Sequence, residues 1–311
     1  VPELPDVELY VSHLRRRVVG APLERVRVAS PFLVRTVDPP LSATFGKRVT
    51  GVQRVGKRVV LDLEDDLHVV VHLMVAGRLR WRERGAKVPG KVGLAAFDFP
   101  GGTVILTEVS TKKRASLHVV RGEAALRALD PGGIEPLACD LAAFAAALRR
   151  ENHTVKRSLT DPHLFSGIGN AYSDEILWRA HMSPVRLTNA MTDDEIARLF
   201  DATRATLVDW TERLAKETGD DFPETVTAFR EGMAVHGRYK QPCPACGSPV
   251  QRIAYASNES NYCAKCQTGG KLLADRSLSR LMRGDWPKTL DELEARKEAQ
   301  RSLGKSGASR A

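Results

Sequence analysis

Two cysteine pairs constrain this chain more than any other feature: Cys243-x2-Cys246 and, after sixteen residues, Cys263-x2-Cys266. Knuckles at this spacing close a tetrahedral thiolate site around one zinc ion. Four sulfurs leave no coordination position for water, so the site is structural. Gly247, Ser248 and Pro249 are turn residues after the first knuckle, and Val250 to Tyr255 then reads as a strand. That pattern predicts a zinc-held β-hairpin. Ribbons of this kind serve nucleic-acid enzymes, transcription factors and plain scaffolds, so the metal alone does not decide function. Only Cys139 lies elsewhere, and five cysteines in 311 residues are too few for a secreted disulfide scaffold.

Lys plus Arg number 47 against 38 Asp plus Glu, a formal net charge of +9. An excess of that size suits a polyanionic partner, and it equally suits a well-solvated basic surface. No stretch reaches the roughly 18 apolar residues that a membrane helix needs. Glu3, Asp6 and Glu8 precede the first basic cluster at Arg15, the reverse of a signal peptide. The expected setting is the cytoplasm, with no membrane partner.

Val7, Tyr10, Val11, Leu14 and Val18 recur at helical spacing, with Pro5 and Asp6 suited to the first turn and Gly20 to the stop. Short β-branched runs follow. Val59–Leu63 and Val69–Leu73 flank Glu64-Asp65-Asp66, and Leu94–Phe99 and Thr103–Val109 flank Pro100-Gly101-Gly102. Both read as hairpins, so the N-terminal half is expected to be a mostly antiparallel sandwich or barrel behind one helix. From Gly122 to about Lys216 the composition turns helical, as in Leu141–Leu148 and Asp193–Leu214. Residues 217–240 read as a linker. Lys271 to Ala311 carries ten basic and six acidic residues, one short helix at Leu290–Ala299 and a Gly/Ser/Lys tail that reads as disordered.

Two further segments carry chemistry. Ser166-Gly167-Ile168-Gly169-Asn170 opens a helix running towards Trp178. Glycines ahead of a helix N-terminus let backbone amides approach a phosphate, and Asn170 can cap the helix and reach a phosphate oxygen. An ordinary helix–turn–helix corner has the same pattern. At the start, Pro2-Glu3-Leu4-Pro5-Asp6 places a proline beside a carboxylate. With residue 1 removed, as expected if Val1 reflects a GUG start codon, Pro2 is a free secondary amine able to attack a sugar carbon. Glu3 beside it is then a general acid and base. A plain helix leader with proline in its first turn is the competing reading.

Taken in order, four pieces resemble the formamidopyrimidine-DNA glycosylase / endonuclease VIII family. They are Pro2-Glu-Leu-Pro-Asp-Val-Glu8, Arg54-Val-Gly-Lys57-Arg58, Ser166-Gly-Ile-Gly-Asn170-Ala-Tyr172-Ser-Asp-Glu175, and His236-Gly-Arg238 ahead of the four cysteines. The resemblance covers roughly residues 1–268. It implies an α+β chain: an N-terminal β-sandwich with a leading helix (1–125), a helix–two-turn–helix domain (126–225) and a linker and zinc ribbon (226–268), with the basic tail (269–311) outside it. By the same resemblance Pro2 is the nucleophile, Glu3 the proton donor and acceptor, and Lys57 a catalytic lysine on a phosphate. Gly167, Gly169 and Asn170 hold the DNA backbone, and one structural zinc sits on Cys243, Cys246, Cys263 and Cys266. The implied partner is double-stranded DNA with a damaged base or abasic site, bound by a monomer close to the nucleoid.

The chain departs from the family in three places. The Arg- and Phe-bearing loop that fills the gap left by a flipped base is replaced by Thr107-Glu-Val-Ser-Thr-Lys112-Lys113-Arg114-Ala-Ser116, cationic but without an aromatic. The usual Met-Ser-Gly segment is altered to Met74-Val75-Ala76-Gly77. The ribbon arginine falls at Asn258, whose neutral amide cannot make a guanidinium's two-pronged phosphate contact; Arg252 and Lys265 are the candidate substitutes. The expected function is a repair glycosylase with β,δ-type lyase activity. The alternatives are a lyase with little base excision and a non-catalytic damage-binding homologue.

Overall fold

The computed structural model describes residues 2–255, 258–273 and 287–296, and their contacts gather into two units. One draws on the chain up to Ala147, on Leu159–Gly169 and on Arg204–Ala228. The other draws on Leu148–Ser158, Asn170–Thr203 and the chain from Phe229 onward.

In the first unit, α1 (Leu4–Val18) buries Val7, Tyr10, Val11, Leu14 and Val18, the five positions whose spacing predicts the helix. Glu3 is its N-cap, and the Glu3 and Asp6 side chains each accept from the other's backbone amide. Eight strands follow: β1 (Arg25–Val28), β2 (Val49–Val55), β3 (Arg58–Leu63), β4 (Leu67–His72), β5 (Gly77–Arg82), β6 (Gly93–Phe99), β7 (Gly102–Glu108) and β8 (Ser116–Arg121). They pair antiparallel into two sheets, ordered β1-β6-β7-β5 and β2-β3-β4-β8. Leu79, Phe97, Phe99, Val104 and Leu106 from one sheet and Val52, Val59, Leu61, Val69 and Val71 from the other share one core with α1. The arrangement is therefore a sandwich and not a closed barrel. Each fully buried Leu, Val or Phe there contributes about 1.5–3 kcal/mol. On the far side of the second sheet, α2 (Glu123–Arg127) lays Leu126 over Val60, Val70 and Val120.

The helical middle comprises α3 (Leu141–Arg149), α4 (Val155–Thr160), α5 (Asn170–Arg179) and the long α6 (Asp193–Thr218). The stretch expected to be a linker is irregular but packed at its start. Phe222 is 8% exposed, with its ring 5.9 Å from Tyr10 and 6.4 Å from Trp81. Arg82 donates to Glu224 at 2.8 Å. Phe222 stands among polar, Gly- and Pro-containing residues with no periodicity to mark it as core, which is why it reads as linker.

In the second unit, β9 (Gln251–Tyr255) and β10 (Asn258–Tyr262) form the expected hairpin, followed by α7 (Ala264–Thr268). The chain then returns: Lys271 bridges Thr289, residues 290–296 are helical, and Leu290 and Leu293 pack on Ile253, Tyr262 and Leu272. Val1, residues 256–257 and 274–286, and the final 297–311 with its expected disordered tail lie outside the described residues. Among the described residues, no helix is long and apolar enough to cross a membrane.

Candidate active site and metal centre

The start of α1 forms the centre of a buried corner. Pro2 is buried and Glu3 is 2% exposed. The Gly169 N–H donates to Glu3 Oε2 at 2.7 Å, the Leu4 N–H donates to the Gly167 carbonyl at 2.9 Å, and the Glu3 N–H donates to Asp6 Oδ2 at 2.9 Å. These bonds explain both glycines. A Cβ on Gly169 would stand 2.5 Å from the Glu3 carboxyl carbon, and one on Gly167, at φ +78°, would stand 2.8 Å from Leu4 Cβ. The Gly169 amide is thus committed to the Glu3 carboxylate.

Lys57 occupies the second position of a two-residue turn between β2 and β3, where Val55 pairs with Arg58. Gly56 at φ +59° precedes it, the glycine-first pattern that matches the twist of a hairpin. That turn lifts Lys57 to the hairpin tip, at a cleft of about 240 Å³ lined by Gly56, Lys57, Arg58, His72, Ser166 and Gly167, among others. Burial pushes the Lys57 ammonium below the ordinary lysine value, against the pull of the Glu3 carboxylate. Burial, with Arg58, Lys57 and His118 nearby, pushes His72 down to about 4, so its ring is neutral at pH 7. Met74 and Val75 also line this cleft.

Lys112, Lys113 and Arg114 are exposed on the loop between β7 and β8. Its base is pinned by Glu108, 1% exposed, whose carboxylate accepts the N–H of Arg114 at 2.9 Å and of Ala115 at 3.1 Å. The Lys113 ammonium donates to the Glu108 carbonyl, so one of the three cations is already engaged within its own loop.

Asn170 belongs to the second unit. It opens α5, and its carbonyl accepts from Lys156 at 3.2 Å. Asn258 opens β10 opposite Tyr255, and its side chain lies outside the described residues.

The four cysteine sulfurs lie within 4.8 Å of one another, with Cys246 to Cys263 at 3.4 Å and Cys243 to Cys266 at 3.9 Å. Sulfurs bound tetrahedrally to zinc at about 2.3 Å stand about 3.8 Å apart, so the set fits one such ion. Gly247 at φ +72° turns the first knuckle, and its N–H donates to the Cys243 carbonyl at 2.9 Å. Trp178 Nε1 donates to Cys243 Sγ at 3.4 Å, and the Cys266 N–H donates to Cys263 Sγ at 3.5 Å. Donors to the sulfurs offset the charge that four thiolates would gather there.

Three groups escape a reading from sequence. Arg54 pairs with Glu8 and with Glu135, 81 positions away. In the second unit Asp174, fully buried, meets His236 Nδ1 at 2.8 Å and accepts from Ser260 at 3.2 Å and from Lys156. Its neighbour Glu175 accepts the backbone N–H of Ala234, Val235 and His236 at 2.7–2.9 Å. Burial pushes the Glu175 carboxyl up, opposed by those three amides. Consecutive acids at the buried start of α5 were the available signal, since a buried carboxylate needs donors.

A leading helix on a two-sheet sandwich, a helical middle and a four-cysteine ribbon define a class of zinc-finger proteins, and three family models match the chain in that order. They are the formamidopyrimidine-DNA glycosylase N-terminal domain over residues 1–116, the formamidopyrimidine-DNA glycosylase H2TH domain over 133–218, and the zinc finger found in FPG and IleRS over 240–269. The formamidopyrimidine-DNA glycosylase of Salinispora arenicola is 34% identical over 286 residues, covering 86% of this chain and 96% of that one. Two solved structures of Lactococcus lactis Fpg, with DNA containing an abasic site and with DNA containing an oxidized pyrimidine, each superpose with a TM-score of 0.74 at 26% identity. Each alignment spans 86% of this chain and 99–100% of the other. The chain belongs to the formamidopyrimidine-DNA glycosylase family.

Proposed function

We propose that this protein is a base-excision repair glycosylase that also cuts the strand at abasic sites, using Pro2 as nucleophile and Glu3 as proton donor and acceptor. The observation that carries it is the corner itself. A buried carboxylate is locked by Gly169 beside Pro2, at the head of a helix whose next amide is held by the cleft-lining Gly167. Once Pro2 is the first residue, its amine has an ordinary pKa of about 7.7–8.0, leaving a usable neutral fraction at pH 7. The amine attacks C1′ of the damaged nucleotide, the C1′–base bond breaks and the base leaves with a proton, and an iminium joins Pro2 to the opened sugar. Loss of a C2′ proton then expels the 3′ phosphate, and a second elimination expels the 5′ phosphate. Glu3 supplies and removes protons in these steps, and Lys57 meets a backbone phosphate from the hairpin tip.

In this scheme residues 1–125 carry the chemistry, 126–225 and 226–268 grip the duplex as a monomer, and Lys112, Lys113 and Arg114 add phosphate attraction. Reaching a stacked base costs a few kcal/mol of unstacking. A loop without an aromatic to fill the gap favours nucleotides that are easiest to extrude. The expected order of single-turnover rates is therefore abasic sites, then oxidised pyrimidines, then 8-oxoguanine opposite cytosine. Borohydride should trap wild-type protein on an abasic duplex. Pro2→Gly should bind the duplex and lose the trapped adduct, and Glu3→Gln should lose base release most. Trapping that survives Pro2→Gly, or intact mass placing a residue before Pro2 in fully active protein, rules out the proline amine. Excision of 8-oxoguanine as fast as abasic cleavage overturns the substrate order.

A further inference from the structure

We propose that Arg54 is a positioning residue that holds the three parts of the catalytic corner in register; this deepens the assignment above and rests on it. The Arg54 side chain is 8% exposed. Its Nε donates to Glu8 Oε1 at 2.7 Å. Its Nη1 donates to the Gly56 carbonyl at 2.8 Å and to Ser166 Oγ and Glu135 Oε1, both at 3.3 Å. Its Nη2 donates to Glu135 Oε2, and Ser166 Oγ donates to Glu135 Oε1. Burial opposes the charge on this guanidinium, but Glu135 and Glu8 outweigh burial and hold it above its ordinary value.

Each partner sits on a different piece of the corner. Glu8 lies on α1, whose N-cap is Glu3. Gly56 is the residue before Lys57 in the hairpin turn. Ser166 adjoins Gly167, and two residues further Gly169 holds Glu3. One planar fork of five donors therefore ties together the base of the helix, the tip of the hairpin and the glycine loop. A lysine at this position keeps the charge but has a single ammonium, which cannot span all of these acceptors. Without the fork, Glu8 and Glu135 lose the cation between them, and the hairpin tip and the Ser166 loop lose the one group that binds both of them to Glu8, leaving the loop on α1 through the Leu4–Gly167 and Glu3–Gly169 bonds. Positioning of this kind acts on the reacting geometry more than on binding, because displacement of about 1 Å at a reacting centre lowers rate on the order of 100-fold.

Arg54→Lys and Arg54→Met test it on the full-length zinc-loaded protein with an abasic duplex. The expected result is kcat lower by about 100-fold with KM within about threefold of wild type. Ser166→Ala, which removes one contact and leaves the guanidinium, should lower kcat several-fold with an unchanged melting temperature, so the idea is testable even if the Arg54 variants fold poorly. Amide exchange at Leu4 and Gly169 reads the same brace without substrate, and should be at least about tenfold faster in Arg54→Lys. A wild-type protein that neither cuts nor is trapped on abasic DNA sinks the functional assignment and leaves the exchange measurement to decide Arg54. Wild-type kcat in Arg54→Lys, or unchanged exchange at both amides, overturns the positioning role.

Discussion

The Pro2–Glu3 corner and the zinc ribbon are both small and dependent on a few polar contacts, yet they are assembled in opposite ways. The ribbon's four sulfurs come from 24 consecutive residues, and a metal supplies the cohesion that so short a segment cannot. The corner joins residues up to 166 positions apart, Glu3 to Gly169, and draws its cohesion from the sandwich core behind it. A locally coded site survives changes elsewhere in the chain but fails with its metal. A site assembled across the fold is held by packing, and at Gly169 it leaves no room for a single methyl group.

That contrast can be broken most severely at Gly169. Gly169→Ala places a Cβ within 2.6 Å of Glu3 Oε1, so the carboxylate must move. The expected outcome is base-release and strand-cleavage rates lower by about 100-fold with zinc content unchanged; near-normal rates would show that the corner tolerates displacement. Cys→Ser at Cys243, Cys246, Cys263 or Cys266 should do the reverse. Zinc should fall from one ion per chain towards none by elemental analysis, and affinity for duplex DNA should drop by about 10- to 100-fold as the ribbon loses its fold. Melting of the sandwich should be little affected, and a shared collapse would show that the two regions are not independent.

The smallest effect sharpens the comparison through pH. His13 is 1% exposed, and burial, with Arg16 and Arg17 beside it, pushes it down to about 4. Between about pH 6.5 and 4 the unfolded chain then binds a proton that the folded chain refuses, so stability falls as pH falls through that window. From pH 7 to pH 5 this one group is expected to remove about 1–2 kcal/mol. Urea melts of wild type and His13→Gln at both pH values should show the difference; parallel pH dependence in the two proteins would remove His13 from the account.

Sequence reading reached the ribbon, the leading helix and the hairpins because each is written within one stretch of chain. Spacing alone places Cys243 to Cys266 around a metal, and Val7 to Val18 on one helical face. The corner was legible in its parts, Pro2, Glu3, Lys57 and the Gly167–Gly169 loop, but not in how they meet. Gly167 and Gly169 read as a phosphate cradle from sequence, and the fold adds a second need for them, room for Leu4 and Glu3. Arg54 and Glu135 bear charges that look like any solvated pair until the fold brings them together. Phe222 was hidden for the same reason, since its hole is built by Tyr10 and Trp81 from far upstream.

The first unit takes its residues from three separated stretches of chain, the last of them beginning at Arg204. No single cut therefore releases it. A fragment ending near residue 125 would keep every strand of the sandwich, yet it would lack the carboxylate that Arg54 grips, the glycine that holds Glu3 and the aromatic plug over Tyr10. Recombination that swaps the sandwich alone would pass on its strands without the corner's partners or the core's aromatic plug, so lineages carrying this architecture are expected to exchange it whole or not at all.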